Sequence, residues 1–460
     1  MSGISAARLA ATFKAYDVRG TVPDQVDEDL ARAVGSAFVE VTGAVSGGGS
    51  GGVVVGHDMR PSSPGLAAAF AAGATAAGAD VTMIGLASTD QLYFASGHLD
   101  LPGAMFTASH NPAQYNGIKM CRSRAVPLGT DTGLGAIRDL VGEGVFVDAS
   151  RPGTVTERDV LEDYAQHLLS LAPVRGRRLD VVVDAGNGMA GHTAPAVLGR
   201  LDLSVVEMFY ELDGTFPNHE ANPIDPDNLV DLQAKVRETG ADIGLAFDGD
   251  ADRCFIVDER GELVSPSVVT ALIASRELAR VPGSSVIHNL ITSRAVPEQV
   301  RELGGTPVRT RVGHSFIKAT MAESDAIFGG EHSGHFYFRD FWRADSGMLA
   351  ALHVLAALAA TDRPLSELLA EFSRYVATGE INSTVADQAA VVAEIEQEYG
   401  ARDGVTLDHL DGLTVLHQDW WFNVRASNTE PLLRLNAEAG DQATLDALRD
   451  DVLALIRRGA

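Results

Sequence analysis

Two short strings carry residue types suited to group-transfer chemistry. The first is T-A-S-H-N-P at 107–112, with Lys119 ten residues beyond Ser109. A serine hydroxyl can act as a nucleophile or carry a phosphoryl group, and a nearby lysine can move a proton or steady a phosphate. The apolar run 101–106 leads into a polar loop closed by proline, which places Ser109 exposed at a strand end. Strand ends are where α/β sheets carry their sites. The second string is F-D-G-D-A-D-R at 247–253, in which Asp248, Asp250 and Asp252 alternate with small residues. Three carboxylates at one strand end repel each other unless a cation neutralises them. Oxygen donors without His or Cys favour Mg²⁺ or Ca²⁺ over zinc. An EF-hand loop needs glycine where this chain has Arg253, and helices where it has strand-like flanks, so that reading fails.

Two further clusters suit a sugar phosphate. F-G-G-E-H-S-G-H at 328–335 sets Glu331, Ser333 and His335 among glycines that let a ligand approach the backbone. V-R-A-S-N-T-E-P-L-L-R at 424–434 gathers Arg425, Ser427, Asn428 and Thr429 ahead of Arg434. A guanidinium, two hydroxyls and an amide opening a helix suit a phosphate dianion. The chain carries 36 basic against 62 acidic residues, a formal charge of −26. Such a surface repels nucleic acid and anionic membranes, so a phosphate ligand needs a locally basic cleft. Arg19 and Arg60 add to that local charge.

The elements that position these strings read as α/β. The 460 residues, 45% hydrophobic, are enough for several buried cores. Strand candidates at 53–55, 181–183 and 286–290 each run into a polar turn and a helical pattern, which suggests three related units. After residue 375 the pattern becomes strand-rich with a terminal helix at 445–457, a smaller α+β domain. The boundaries drawn are 1–150, 151–258, 259–373 and 374–460, with joints near 149–156 and 258–266. Alanine-rich stretches at 66–79 and 348–360 read as buried helices, shorter than the ~20 residues that span a bilayer. The glycine tract at 46–52 lacks a phosphate-loop ending and reads as a flexible loop. No secretory pattern opens the chain, and two cysteines are too few for a disulfide framework, so a soluble cytoplasmic protein is expected.

The four strings, in this order, resemble the α-D-phosphohexomutase superfamily, and within it the bacterial phosphomannomutase/phosphoglucomutase branch. F-K-A-Y-D-V-R-G at 13–20, G-T-F-P-N-H at 214–219 and R-T-R-V-G-H-S-F-I-K at 309–318 extend the likeness along the whole chain. The resemblance implies three related α/β domains with mixed sheets plus the smaller C-terminal domain, around a central cleft. It implies that Ser109 is a phosphoserine and that one Mg²⁺ joins it to Asp248, Asp250 and Asp252. Lys119, Arg19 and His314 would serve proton transfer and charge stabilisation, with Arg253 anchored beside the metal loop. Tyr16 would contact substrate, Glu331 and Ser333 would hold the sugar O3 and O4 hydroxyls, and His335 would lie at the cleft. Arg425, Ser427, Asn428, Thr429 and Arg434 would grip the phosphate that is not reacting.

The implied activity is reversible interconversion of hexose 6-phosphate and hexose 1-phosphate, with mannose or glucose as the sugar. Hexose 1,6-bisphosphate is the intermediate and activator. A monomer is expected, with a dimer as the alternative. The rival readings are a phosphoglucosamine mutase and a non-catalytic sugar-phosphate sensor. Two departures stand out. H-N-L-I-T-S at 288–293 lacks the lysine of the branch, so that a contact is either missing or supplied by Arg294, and Asp90 stands where proline is usual, read as a backbone matter. The sugar loop reads E-H-S, closer to the E-M-S of dual-specificity enzymes than to E-Q-S, so position 332 weighs on specificity.

Overall fold

The computed structural model describes residues 4–45, 51–144, 149–426 and 432–458, apart from the side chains of His314 and Ser315. The chain divides into two compact units, 1–264 with 333–366, and 265–332 with 367–460. Most of the glycine tract, residues 46–50, lies outside the described residues.

The first unit holds two mixed sheets. In the first, Gly52–His57 pairs in parallel with Asp80–Leu86 and Gly103–Phe106, and Gly103–Phe106 pairs antiparallel with Tyr115–Arg122. Asp17–Thr21 then adds antiparallel to Tyr115–Arg122, so Lys119 faces Asp17 on one side and Met105 on the other. The segment at 149–156 leads into Val155–Glu157, which pairs in parallel with Asp80–Leu86 and so extends the first sheet. The second sheet has the order Leu263–Val264, Cys254–Asp258, Ile243–Phe247, Leu179–Asp184, Leu203–Met208. Its central strand Ile243–Phe247 is buried at every position, as a strand covered on both faces requires. The alanine-rich stretches form the helices Ser63–Ala76 and Gly347–Ala359, and nearly every residue of the second is buried. A helix apolar all round belongs in a core.

In the second unit, Ser285–Asn289 pairs in parallel with Thr306–Thr310 and Phe328–Gly330. The C-terminal part is an antiparallel sheet of Val376–Thr384, Leu432–Ala439, Trp420–Ala426, Leu413–Leu416 and Thr406–Asp408, packed on the helices Gln388–Gly400 and Gln442–Arg458. Three α/β domains followed by a smaller C-terminal one account for the architecture. Cys121 and Cys254 are free and buried. Among the described residues, no helix is long and apolar enough to cross a membrane.

Candidate active site

Ser109 follows the strand Gly103–Phe106 as expected, but it is not exposed. Only 4% of it is accessible, and its φ of 51° lies in the left-handed region that costs a non-glycine residue energy. What holds it there is a residue the sequence placed elsewhere. Arg60, read as local positive charge for a ligand, is 1% exposed and has no donor to spare. Its Nη2 donates to the carbonyls of Ser109 (2.9 Å) and Asn111 (2.7 Å), and its Nη1 to those of Pro112 (2.9 Å) and Tyr115 (3.0 Å). Its Nε donates to Asp58 Oδ2 at 3.2 Å. All five N–H bonds of the guanidinium are thereby used. The G-T-F-P-N-H string closes over it: the Phe216 ring lies 5.1 Å from the guanidinium, and a Cβ on Gly214 would come within 2.6 Å of Arg60 Cα. Arg60 is a strut under the serine loop, and its signal, a buried D-x-R turn, is not readable locally.

The aspartate string spans the turn between the strands Ile243–Phe247 and Cys254–Asp258, as its flanks implied. Asp248, Asp250 and Asp252 are all buried, with carboxylate oxygens within 4.8 Å of one another. Ser109 Oγ donates to Asp248 Oδ2 at 2.7 Å and lies 3.2 Å from His110 Nδ1. The approach is close because residue 249 is glycine: a Cβ there would stand 2.5 Å from the Ser109 carbonyl oxygen. Lys119 Nζ reaches Asp250 Oδ2 and Asp252 Oδ2, both at 2.6 Å. Arg253 Nε donates to Asp248 Oδ2 at 2.9 Å. Arg19 reaches Asp17 (2.5 Å) and Asn111 Oδ1 (2.7 Å), at the rim of the serine loop.

The electrostatics follow from burial. Desolvation, opposed by Arg253 and reinforced by Asp250 and Asp252, pushes Asp248 up to about 7. Burial also resists ionisation of Asp250, but Lys119 and the Thr89 hydroxyl outweigh it and hold that carboxyl well below its ordinary value. For Lys119 burial favours the neutral amine, yet the two carboxylates win and raise it well above the usual lysine value. Lys119 is therefore an ammonium. Burial and the nearby Arg253 and Arg19 press His110 well below its ordinary value, so it is a neutral imidazole beside the serine. Oδ1 of Asp250 and Oδ1 of Asp252 are buried without a hydrogen-bond partner among the described residues. Two unsatisfied hard oxygens beside a third carboxylate are a donor set for a divalent cation.

Two further residues brace this centre. Thr89 donates its hydroxyl to Asp250 Oδ2 (2.6 Å) and its N–H to the Asp250 carbonyl (2.9 Å). Asp90, read as a backbone matter, is instead a fully buried carboxylate. It accepts from Tyr164 Oη (2.7 Å), Ser346 Oγ (2.6 Å) and Ser88 Oγ, and burial raises it to about 6. Ser333 Oγ lies 3.0 Å from His335 Nδ1, and His335 Nε2 stands 3.6 Å from Asp252 Oδ1. Tyr16, 39% exposed, sits just before the strand Asp17–Thr21.

In the second unit, Glu331 follows the strand Phe328–Gly330 and accepts from Gly313 N–H at 3.2 Å. His314 opens the helix His314–Ser324, and its side chain lies outside the described residues, as do Ser427, Asn428 and Thr429 entirely. The phosphate string does not open a helix. Arg425 and Arg434 lie directly opposite each other on the antiparallel strands Trp420–Ala426 and Leu432–Ala439. Both turn to one carboxylate: Arg425 reaches Glu380 at 2.7 Å and Arg434 reaches it at 3.6 Å. The Nε atoms of both arginines are buried without a partner among the described residues. Arg294, one alternative for the missing lysine's contact, is engaged within its own unit. It donates to the carbonyls of Gln418 (2.7 Å) and His417 (3.2 Å) and lies over the Tyr375 ring, joining two segments of its own unit.

Four successive stretches match one family. Residues 10–146, 162–261 and 265–375 match the phosphoglucomutase/phosphomannomutase alpha/beta/alpha domains I, II and III, and residues 380–455 match its C-terminal domain. The chain is 41% identical over 449 residues to a protein of Xanthomonas campestris pv. campestris described as phosphohexose mutases, covering 97% of this chain and 99% of that one. It is 39% identical over 457 residues to a phosphomannomutase of Escherichia coli, covering 97% and 99%. A crystal structure of a phosphoglucomutase/phosphomannomutase family protein from Burkholderia thailandensis superposes with a TM-score of 0.88 at 34% identity, covering 98% and 97%. Fold and matches together define a four-domain phosphohexomutase. The chain belongs to the phosphoglucomutase/phosphomannomutase family.

Proposed function

We propose that this enzyme interconverts the 6-phosphate and 1-phosphate of mannose, glucose or both, by way of phospho-Ser109 and a hexose 1,6-bisphosphate. The observation that carries the reading is the 2.7 Å contact of Ser109 Oγ with Asp248 inside the buried group of three aspartates. In the first half-reaction the free hydroxyl oxygen of the substrate bonds to the phosphoserine phosphorus. The P–Oγ bond breaks, the hydroxyl proton leaves to a base, and Oγ takes up a proton. In the second half-reaction Ser109 recovers the other phosphoryl group from the bisphosphate, and the isomer is released.

Asp248, Asp250 and Asp252 are the residues that would hold Mg²⁺. When bound, that ion neutralises charge on the transferring phosphoryl oxygens. Lys119, held as an ammonium, suits the return of a proton to Oγ and the stabilisation of phosphoryl charge better than it suits a base. Arg19 adds positive charge at the rim of the serine loop, Arg253 fixes Asp248, and His314 is assigned to proton transfer on the substrate side. Glu331, Ser333, His335 and Tyr16 are assigned to the sugar, and Arg425, Ser427, Asn428, Thr429 and Arg434 to the distant phosphate. The four domains divide near residues 150, 258 and 373, and the protein works as a cytoplasmic monomer whose charge of −26 keeps it from nucleic acid and membranes.

Peptide mass mapping of the purified protein is expected to find one phosphate on Ser109. Coupled assays on mannose, glucose and glucosamine 1-phosphates, with added bisphosphate and Mg²⁺, then rank the sugars. Fastest turnover of the amino sugar would replace this reading with the phosphoglucosamine mutase. A Ser109 that never carries phosphate, in a protein inactive on all three, would leave the sensor.

A further inference from the structure

The segment at 288–293, which lacks the branch's lysine, holds a buried amide with contacts of its own. Asn289 ends the strand Ser285–Asn289, is fully buried, and reaches the loop assigned to the sugar. Its Nδ2 lies 3.3 Å from Glu331 Oε1 and 3.2 Å from His332 Nδ1, while its Oδ1 accepts from Thr292 Oγ1 at 2.8 Å. The orientation of an amide and the tautomer of an imidazole follow from what surrounds them. Here the surroundings decide both. Glu331 Oε1 already accepts from the Gly313 backbone N–H at 3.2 Å, so it is an acceptor whichever way the amide is turned. The Asn289 group facing it is therefore the NH₂, and the Thr292 hydroxyl completes the assignment by donating to the amide oxygen. An NH₂ nitrogen has only protons to offer, so His332 Nδ1, facing the same nitrogen, has to accept. That leaves the ring proton on Nε2.

We infer that Asn289, locked by Thr292, is a positioning residue that holds Glu331 and fixes His332 as its Nε2–H tautomer. Glu331 and His332, neighbours in the loop assigned to the sugar, are then held in fixed orientations by one amide. Buried partners of this kind fix orientation, and leaving such a group unsatisfied costs about 5- to 150-fold in the equilibrium it supports. The inference rests on the hexose phosphate reading for its use, but its geometry can be tested alone.

The test is ¹⁵N-histidine NMR of the whole protein, with His332 assigned by the signal lost in His332→Gln. Wild type is expected to show an unprotonated Nδ1 and a protonated Nε2. Asn289→Asp, which offers a carboxylate to the ring, is expected to move the proton to Nδ1. Thr292→Val, a smaller perturbation should Asn289→Asp fold poorly, is expected to leave the tautomer mixed. Kinetically, Asn289→Asp should raise KM for hexose 1-phosphate about 10-fold while kcat changes less. A wild-type His332 protonated on Nδ1 overturns the inference whatever the enzyme turns over. So does an unchanged tautomer in a folded Asn289→Asp. An enzyme with the expected tautomer but no mutase activity would instead overturn the function proposed above.

Discussion

Around Ser109, three buried carboxylates face one ammonium and one guanidinium at hydrogen-bonding distance, so acidic charge is in excess. Around Glu380 the balance is inverted: Arg425 and Arg434 share that one carboxylate, and each keeps a buried Nε without a partner among the described residues. Burial, opposed by Glu380 and reinforced by Arg434, lowers Arg425 from the ordinary arginine value. Buried charge left over in this way is costly unless a ligand completes it. The sign of the excess fits the ligands proposed for each place, a divalent cation at the first and a phosphate dianion at the second. The two regions also differ in bracing. The serine loop has Arg60 beneath it and Gly249 against it, whereas the arginines stand on neighbouring strands with a single acid between them.

The largest effect that would break this contrast is at Ser109. Ser109→Ala should abolish steady mutase turnover while circular dichroism and melting temperature stay close to wild type; undiminished turnover would remove the serine from the chemistry. Arg60→Lys should come next, with kcat down about 100-fold, the scale expected when a reacting group is misplaced by about 1 Å. Lysine has three donors for five acceptors, so the loop shifts while the sugar and phosphate contacts, and hence KM, are kept. A matched loss in KM would mean that Arg60 contacts substrate after all. Arg425→Ala removes a charge-assisted contact of about 1.5–3 kcal/mol, so KM for hexose phosphate should rise about 10- to 100-fold with kcat little changed.

The smallest effect concerns stability. Asp90 titrates near 6 in the fold against 3.8 unfolded, so its stabilising contribution is present below 3.8 and fades as pH rises through about 6. Asp90→Asn has no such dependence. Its melting temperature relative to wild type should therefore fall as pH is lowered from 7 to 5. A difference that stays flat over that range would show that Asp90 is not a strained carboxylate.

How much was legible depended on distance along the chain. Asp248, Asp250 and Asp252 lie within one turn, so their spacing alone implied convergence, and they do converge. Ser109 was legible as a residue type in a strand-end loop, but its burial was not, because the groups that bury it come from elsewhere. The contact between Thr89 and Asp250 spans 161 residues and that between Asp90 and Ser346 spans 256. No local pattern encodes either. The expectation that the string at 424–434 opens a helix failed for a related reason: the residues described at its two ends, 424–426 and 432–434, pair as antiparallel strands, and residue types that cap helices do not reveal such pairing.

The sequence by itself determined the order of three α/β segments and a smaller α+β one, the strings of chemistry-bearing residues, and the demand for local positive charge on an acidic protein. These are matters of composition and short-range geometry. Only the tertiary structure decided that Arg60 serves the backbone, that Lys119 is an ammonium between two aspartates, that Asp90 is a buried acceptor, and that Asn289 reaches both Glu331 and His332. Each of those depends on which distant group fills a hydrogen-bonding valence in the absence of water, and that is settled when the chain packs.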